Sequence, residues 1–166
     1  MNSIQTILID SREQKPLVFP KSVTVKVGKT RRTFILRTKV VTLDAGDYCL
    51  AEFPNVGGCE RKANNRELYQ NLITKDRTRF KKAWKKFVDA YSRPFLMIEQ
   101  TAVGFTGRWI KQPKYVGDYD TYDALLTHQL EYPNVQTIWT TRGKDSKKLG
   151  AIVARTLIIM ALDSKK

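Results

Sequence analysis

Glu60 and Lys62, two residues apart in the run VGGCERKANNREL, are the residues whose types and spacing suit a chemical task. On an extended strand such a pair points to one face. Asp47 follows Gly46, with twelve residues between it and Glu60, and Asp10 ends the apolar run IQTILI. Two carboxylates at neighbouring strand ends can hold a hard divalent cation through oxygen, and Mg²⁺ held that way keeps several waters. Such a cation lowers the pKa of a bound water and stabilises charge on a phosphate under attack. A lysine beside it can position that water or offset the developing charge. Taken alone, D-x12-E-x-K describes equally well a set of charges that solvate the end of a strand leaving the core.

The elements that must position these residues alternate between strand and helix signals. IQTILI reads as a buried strand, and SREQKPLVFP as a loop broken by Pro16 and Pro20. SVTVKV and RTFILRTKVV flank the basic turn GKTR, which predicts a β-hairpin excursion over about 21–42. A short strand, DYCLAEF, follows Gly46, and Pro54-Asn55 turns the chain into VGGCERK. From about Asn65 the pattern is helical through ELYQNLI and RFKKAWKKFVDAY, with a break near Thr74–Asp76. PFLMIEQ is a buried strand, Thr101 to Gly117 a loop and TYDALLTHQLEY a helix. VQTIWTT is a strand and SKKLGAIVARTLIIMALD a closing helix. No repeat or linker divides residues 1–166, so the expectation is a single α/β domain, a mixed sheet with helices on its faces.

Composition narrows the class of partner. With 166 residues and 42% hydrophobic content the chain can bury a real core. Thirty Lys and Arg against 16 Asp and Glu give a net charge of +14. That excess points to nucleic acid, because neutralising phosphates releases counterions; solubility or an acidic partner would explain it too. Cys49 and Cys59 make no zinc pattern and read as small buried hydrophobes, with a disulfide as the alternative. MNSIQTILID lacks the features of a signal peptide, and LGAIVARTLIIMAL, which contains Arg155, is too short to span a bilayer. The expectation is an intracellular, soluble protein with no membrane association.

An Asp, a gap spanning one turn, then Glu-x-Lys is also the order of the PD-(D/E)xK nuclease core. ILIDSRE, AGDYCL and CERK, in that order, resemble the V/IDxRE, GDY/GDF and ERKxxxD segments of the XPF-type structure-specific endonucleases. Downstream, RPFLMIEQ is similar to the family's strand ending in Glu, and VQTIWTTRGKDSKKLGAIVARTL to its closing strand and helix. The resemblance covers nearly the whole chain. It implies a restriction-endonuclease-like fold and hydrolysis of DNA phosphodiesters with Mg²⁺ or Mn²⁺, on branched, flapped or single-strand-containing DNA. The implied catalytic set is Asp10, Arg12, Glu13, Asp47, Glu60, Arg61 and Lys62. In it Asp47 and Glu60 match the main metal ligands, Asp10 a further ligand or water-holder, and Lys62 the catalytic lysine. Arg12, Glu13 and Arg61 match positions that contact phosphate or orient the carboxylates. One departure is plain: where ERKxxxD expects its aspartate stands Arg66, with Glu67 one residue later. No segment resembles the tandem helix-hairpin-helix or helicase-like regions of larger relatives. The expectation is a bare nuclease domain like those of phage and mobile elements, working in a bacterial cytoplasm if phage-borne, otherwise in a nucleus or nucleoid.

Other features admit two readings. Phe80, Trp84 and Phe87 form one apolar helical face, read as core rather than as base-stacking platforms. Arg79, Lys81, Lys82, Lys85 and Lys86 opposite them are a solvated surface or phosphate contacts. Lys29, Arg31 and Arg32 in the hairpin turn are a second candidate DNA contact. His128 is the sole histidine and reads as structural, and no His pair supports a zinc hydrolase. Glu99 either approaches the metal site or joins a buried ion pair. The loop GFTGRWIKQPKYVGDYDTYD, whose second GDY lacks a following Glu-x-Lys, reads as a DNA-contacting flap. Gly150, Val153, Leu157 and Met160 form an apolar face that suits a core helix or a homodimer contact. The rival functions are a non-catalytic nucleic-acid-binding module derived from such a nuclease, which recruits a partner, and a nuclease acting on RNA.

Overall fold

Alternation in SVTVKV buries Val23 and Val25 and leaves Ser22, Thr24 and Lys26 in water, the signature of a half-buried strand. In the computed structural model, which describes residues 3–101, 116–140 and 145–164, that segment is β2 (Ser22–Val27). The other strands are β1 (Ser3–Asp10), β3 (Thr30–Val41), β4 (Tyr48–Leu50), β5 (Gly57–Lys62), β6 (Arg93–Ile98) and β7 (Gln136–Trp139). The helices are α1 (Asn65–Leu72), α2 (Arg77–Ala90), α3 (Val116–Glu131) and α4 (Ser146–Asp163). All seven strands join one mixed sheet in the order β2-β3-β1-β4-β5-β6-β7. The β1–β3, β5–β6 and β6–β7 pairs are parallel and the β2–β3, β1–β4 and β4–β5 pairs antiparallel. The expected α/β architecture is therefore present.

Each face of the sheet carries its own core. On one face Ile7, Ile9, Tyr48, Cys59, Phe95 and Met97 pack against Val153, Leu157 and Ile158 of α4. On the other, Cys49, Leu96 and Ile98 pack against Leu68, Phe80, Trp84, Phe87 and Leu125 from α1, α2 and α3. The aromatic face of α2 is thus core, and burying each such ring contributes about 2–3 kcal/mol. Gly150, Val153, Leu157 and Met160 are likewise buried within the chain's own core. A Cβ on Gly150 would stand 2.2 Å from the Val18 carbonyl oxygen, so glycine lets α4 press directly on the loop after β1. The Ser146 hydroxyl accepts the Val18 amide at 2.9 Å and fixes that contact.

Three segments differ from expectation, the last being α3, which begins at Val116 rather than at Thr121 and so takes in the end of the expected loop. The hairpin turn is only Gly28-Lys29, because Val27 already pairs with Thr30 and Gly28 alone supplies the positive φ of 60°. Arg31 and Arg32 consequently belong to β3 rather than to the turn. DYCLAEF forms only the three-residue β4, because the chain turns at Leu50, whose carbonyl accepts the Phe53 amide. That turn brings the Glu52 carboxylate to the Thr6 amide at 3.0 Å, capping an edge of β1. Among the described residues no helix is long and apolar enough to cross a membrane.

Candidate active site

Strand direction gathers the charged residues. β1, β5 and β6 are mutually co-directional through the sheet, so their C-terminal ends lie together, where β4 begins. Ligand sites of open α/β sheets form at such carboxyl ends. Asp10, Glu60, Arg61, Lys62 and Glu99 arrive there from the strands, and Asp47 from the turn before β4. Backbone bonds lock the turn: Asp47 donates to the Cys59 carbonyl at 2.8 Å and Asp10 to the Asp47 carbonyl at 2.9 Å. Gly46 enters with φ of 74°, and a Cβ there would meet Phe87 at 2.9 Å and the Cys59 carbonyl at 3.2 Å. The Tyr91 hydroxyl donates to the Ala45 carbonyl at 2.8 Å, holding the same turn from α2's end.

Glu60 and Lys62 share the face toward α2. The Lys62 Nζ lies 2.9 Å from Glu60 Oε1 and 3.2 Å from Glu67 Oε1, with the Phe80 ring centroid 5.4 Å away. Burial would lower the Lys62 pKa, but the Glu60 and Glu67 charges outweigh it and hold the ammonium above the usual lysine value. Glu67 is itself fixed, accepting the Ala63 amide at 3.0 Å and donating its own amide to Asn64, the N-cap of α1. The Asp47 carboxylate accepts the Arg61 amide at 2.7 Å. Burial, then the Glu60 charge, nonetheless pushes the Asp47 carboxyl well above the usual range, against the pull of the Arg61 amide and Lys62.

On the opposite face Arg61 ties three segments together. Its guanidinium pairs with Glu99 through Nε, donates to the Lys15 carbonyl at 2.8 Å and lies 3.5 Å from Glu13. Glu99 is therefore a buried ion-pair partner, one of its two sequence readings. Glu13 also contributes negative charge at Asp47. The Asp10 carboxylate makes its own set of bonds. Its Oδ2 pairs with Arg12 Nε at 2.8 Å and its Oδ1 accepts the Leu43 amide at 3.1 Å. Arg12 in turn donates to the Leu43 carbonyl at 2.6 Å while its side chain stays 63% exposed.

Among the described residues no three His, Cys, Asp or Glu side chains form a ready cation cage. The donor chemistry of Asp47 and Glu60 still fits Mg²⁺ or Mn²⁺, since such sites use one or two carboxylates completed by water and substrate phosphate. The raised Asp47 carboxyl is the observation that supports the fit: burial and the Glu60 charge push it up, and a divalent charge would offset both causes.

The candidate DNA contacts separate. Phe80 of α2 packs against Lys62, so the buried face of that helix reaches the site. On that helix Lys81 pairs with Glu131, Lys85 with Asp89 and Lys86, at 3.9 Å, with Asp44. Arg79 and Lys82 are exposed and make no ion pair among the described residues. Lys29, Arg31 and Arg32 lie at the other end of β3. Val41 pairs with Asp10, so the eleven steps back to Thr30 set the turn roughly 36 Å from the site. His128 is buried against Phe80, Trp84 and Tyr132, and burial lowers its pKa to about 4, as befits a structural residue. The flap reading falls mostly on residues 102–115, outside the described residues, while its GDY starts α3.

Sequence reasoning left Glu67 unassigned, although Asn64-x-x-Glu67 is a helix-capping pattern that locates it at the start of α1. The Phe80 roof over Lys62 had no comparable signal, because an apolar helical face does not say what its first residue covers.

A family model described as the ERCC4 domain matches residues 9–150. No curated protein matches the chain. Among solved structures, XPF from Aeropyrum pernix aligns with a TM-score of 0.59 and 16% identity, over 93% of this chain and 60% of that one. XPF from Aeropyrum pernix in complex with DNA aligns at 0.59 and 17%, over 97% and 66% respectively. The chain thus spans 60% to 66% of those solved chains, with which it shares a fold.

Proposed function

Since this chain belongs to the ERCC4 domain family, we propose that it is a divalent-metal-dependent endonuclease acting on branched, flapped or single-strand-containing DNA. The observation that carries the reading is Asp47, from the turn before β4, set against the end of β5 that bears Glu60 and Lys62, with the Asp47 carboxyl raised by burial and by Glu60. Asp47 and Glu60 are the residues that would hold Mg²⁺ or Mn²⁺, and Asp10, through Arg12, orders the adjoining loop. Bound there, the ion would acidify a water and offset charge on the phosphate. The Lys62 ammonium, buried and aimed by two carboxylates, directs the attacking oxygen or meets the developing charge. Arg12, the exposed cation of the cluster, reaches for the phosphate, and Arg61 keeps Glu13 and the loop at Lys15 in register.

DNA engagement follows from the +14 charge and the basic face of α2. The Aeropyrum pernix XPF solved in complex with DNA supports the partner class. A second reading, a non-catalytic DNA-binding module, is favoured by one observation, Arg66 in place of an acid. Labelled flap, fork, linear and RNA substrates incubated with Mg²⁺, Mn²⁺ or EDTA separate the two. The nuclease reading expects metal-dependent cutting of branched DNA, abolished in Asp47→Ala and Glu60→Ala. Tight DNA binding with no cutting of any substrate would sink it, and RNA cut in preference to DNA would replace the substrate. Cleavage that survives both substitutions would sink the assigned site.

A further inference from the structure

We propose that Glu67 is the positioning residue of Lys62, holding the ammonium from the start of α1 when Glu60 is engaged elsewhere. The inference rests on the nuclease reading for its catalytic consequence but not for the contact itself.

Lys62 is only 6% exposed, and its ammonium has three donors to place. A buried ammonium that lacks fixed acceptors is costly, so its partners decide whether it is ordered. Two carboxylates face it, and they are not equivalent. Glu60 is also a candidate donor to the divalent cation, which competes for the same oxygens. Glu67 has no such rival claim. One of its oxygens accepts the Ala63 amide at 3.0 Å, and its own amide donates to the Asn64 cap, leaving the second oxygen 3.2 Å from Lys62. Among the described residues Lys62 is the only cation within ion-pair distance of it.

Helix geometry explains why an acid at 67 rather than 66 serves. Asn64 caps α1, so position 67 is the third helical residue, whose side chain folds back over the residues preceding the helix. Those residues are Lys62 and Ala63. Phe80 at 5.4 Å closes the remaining side, so the ammonium is fixed from three directions.

The ammonium itself supplies the test. Proton–nitrogen correlation spectra of the ¹⁵N-lysine-labelled, metal-free protein in a Glu60→Gln background, where Glu60 no longer competes as a charged partner at 2.9 Å, should show a discrete, slowly exchanging Lys62 ammonium signal, assigned by its absence in Lys62→Arg. Glu67→Gln, which keeps a carbonyl for the Ala63 amide but removes the charge, should lose that signal, and Glu67→Asp should restore part of it. Asn64→Ala should lower the melting temperature yet keep the signal, separating the helix cap from the ion pair. In single-turnover cleavage Glu67→Gln should slow the chemical step about tenfold or more, with DNA affinity unchanged within about twofold. A signal that persists in Glu67→Gln overturns the proposal whether or not the protein cuts DNA. So does its loss in an active protein whose Glu67→Gln variant cleaves at the wild-type rate. A wild-type chain that never cuts, but whose signal vanishes in Glu67→Gln, keeps the tether and removes the nuclease reading instead.

Discussion

Asp47 illustrates how a single buried acid trades stability for a task. Its folded pKa lies above the ordinary value of 3.8 because of burial and then Glu60, so the folded state retains a proton that the unfolded chain has released. The stability it contributes is therefore full below the ordinary carboxylate value and is lost as pH rises through the folded value. Asp47→Asn keeps an acceptor for the Arg61 amide and removes the penalty. It is expected to raise stability at pH 8 by on the order of 1 kcal/mol in urea unfolding, while cleavage falls at least about a hundredfold. Mg²⁺ should stabilise the wild-type protein and not the variant. His128 works in the opposite sense, with a folded pKa of about 4 against an ordinary 6.5. As pH falls through that window the unfolded chain takes the proton first, so stability declines, by roughly 3 kcal/mol at the limit. Unfolding midpoints between pH 7 and pH 4.5 should drop less in His128→Phe than in the wild type.

At the scale of elements, the turn before β4 carries the site. Gly46 combines a positive φ with ring and carbonyl neighbours at 2.9 and 3.2 Å, so Gly46→Ala meets both backbone strain and a clash. A loss of about 2–3 kcal/mol by chemical denaturation is expected, with cleavage reduced further because Asp47 is the next residue. The elements themselves were largely legible, since SVTVKV and SKKLGAIVARTLIIMALD match β2 and α4 end to end. Periodicity sufficed there because each buries one face against a single layer. β4 was overextended because the turn that puts Glu52 on the Thr6 amide is a long-range choice, 46 residues apart in sequence. The spacing of Asp47, Glu60 and Lys62 was readable; the direction of Asp10 toward Arg12 and Leu43 was not, since it depends on how the loop after β3 returns.

At the scale of the molecule, two of the basic groups are distinct, and the hairpin turn lies roughly 36 Å from Asp10, about one turn of duplex DNA. Arg79 and Lys82 stand on the exposed face of α2, and Lys29, Arg31 and Arg32 at the far end of β3. Replacing the α2 pair by alanine should weaken binding to every substrate and lower the salt slope by roughly one per lost phosphate contact. Replacing the hairpin trio should weaken only substrates with an arm longer than about one helical turn, which fluorescence anisotropy over a series of arm lengths would resolve. The sheet also separates its two cysteines. Tyr48 pairs with Cys59 and Cys49 with Gly58, so the thiols occupy adjacent strands yet belong to opposite cores. They are free, and burial raises both thiols above the usual range, so neither reacts while its layer is shut. Nature has thus supplied a pair of clocks: the labelling rate of Cys59 times the parting of α4 from the sheet, that of Cys49 the parting of α2, and their ratio says which side of the protein opens first.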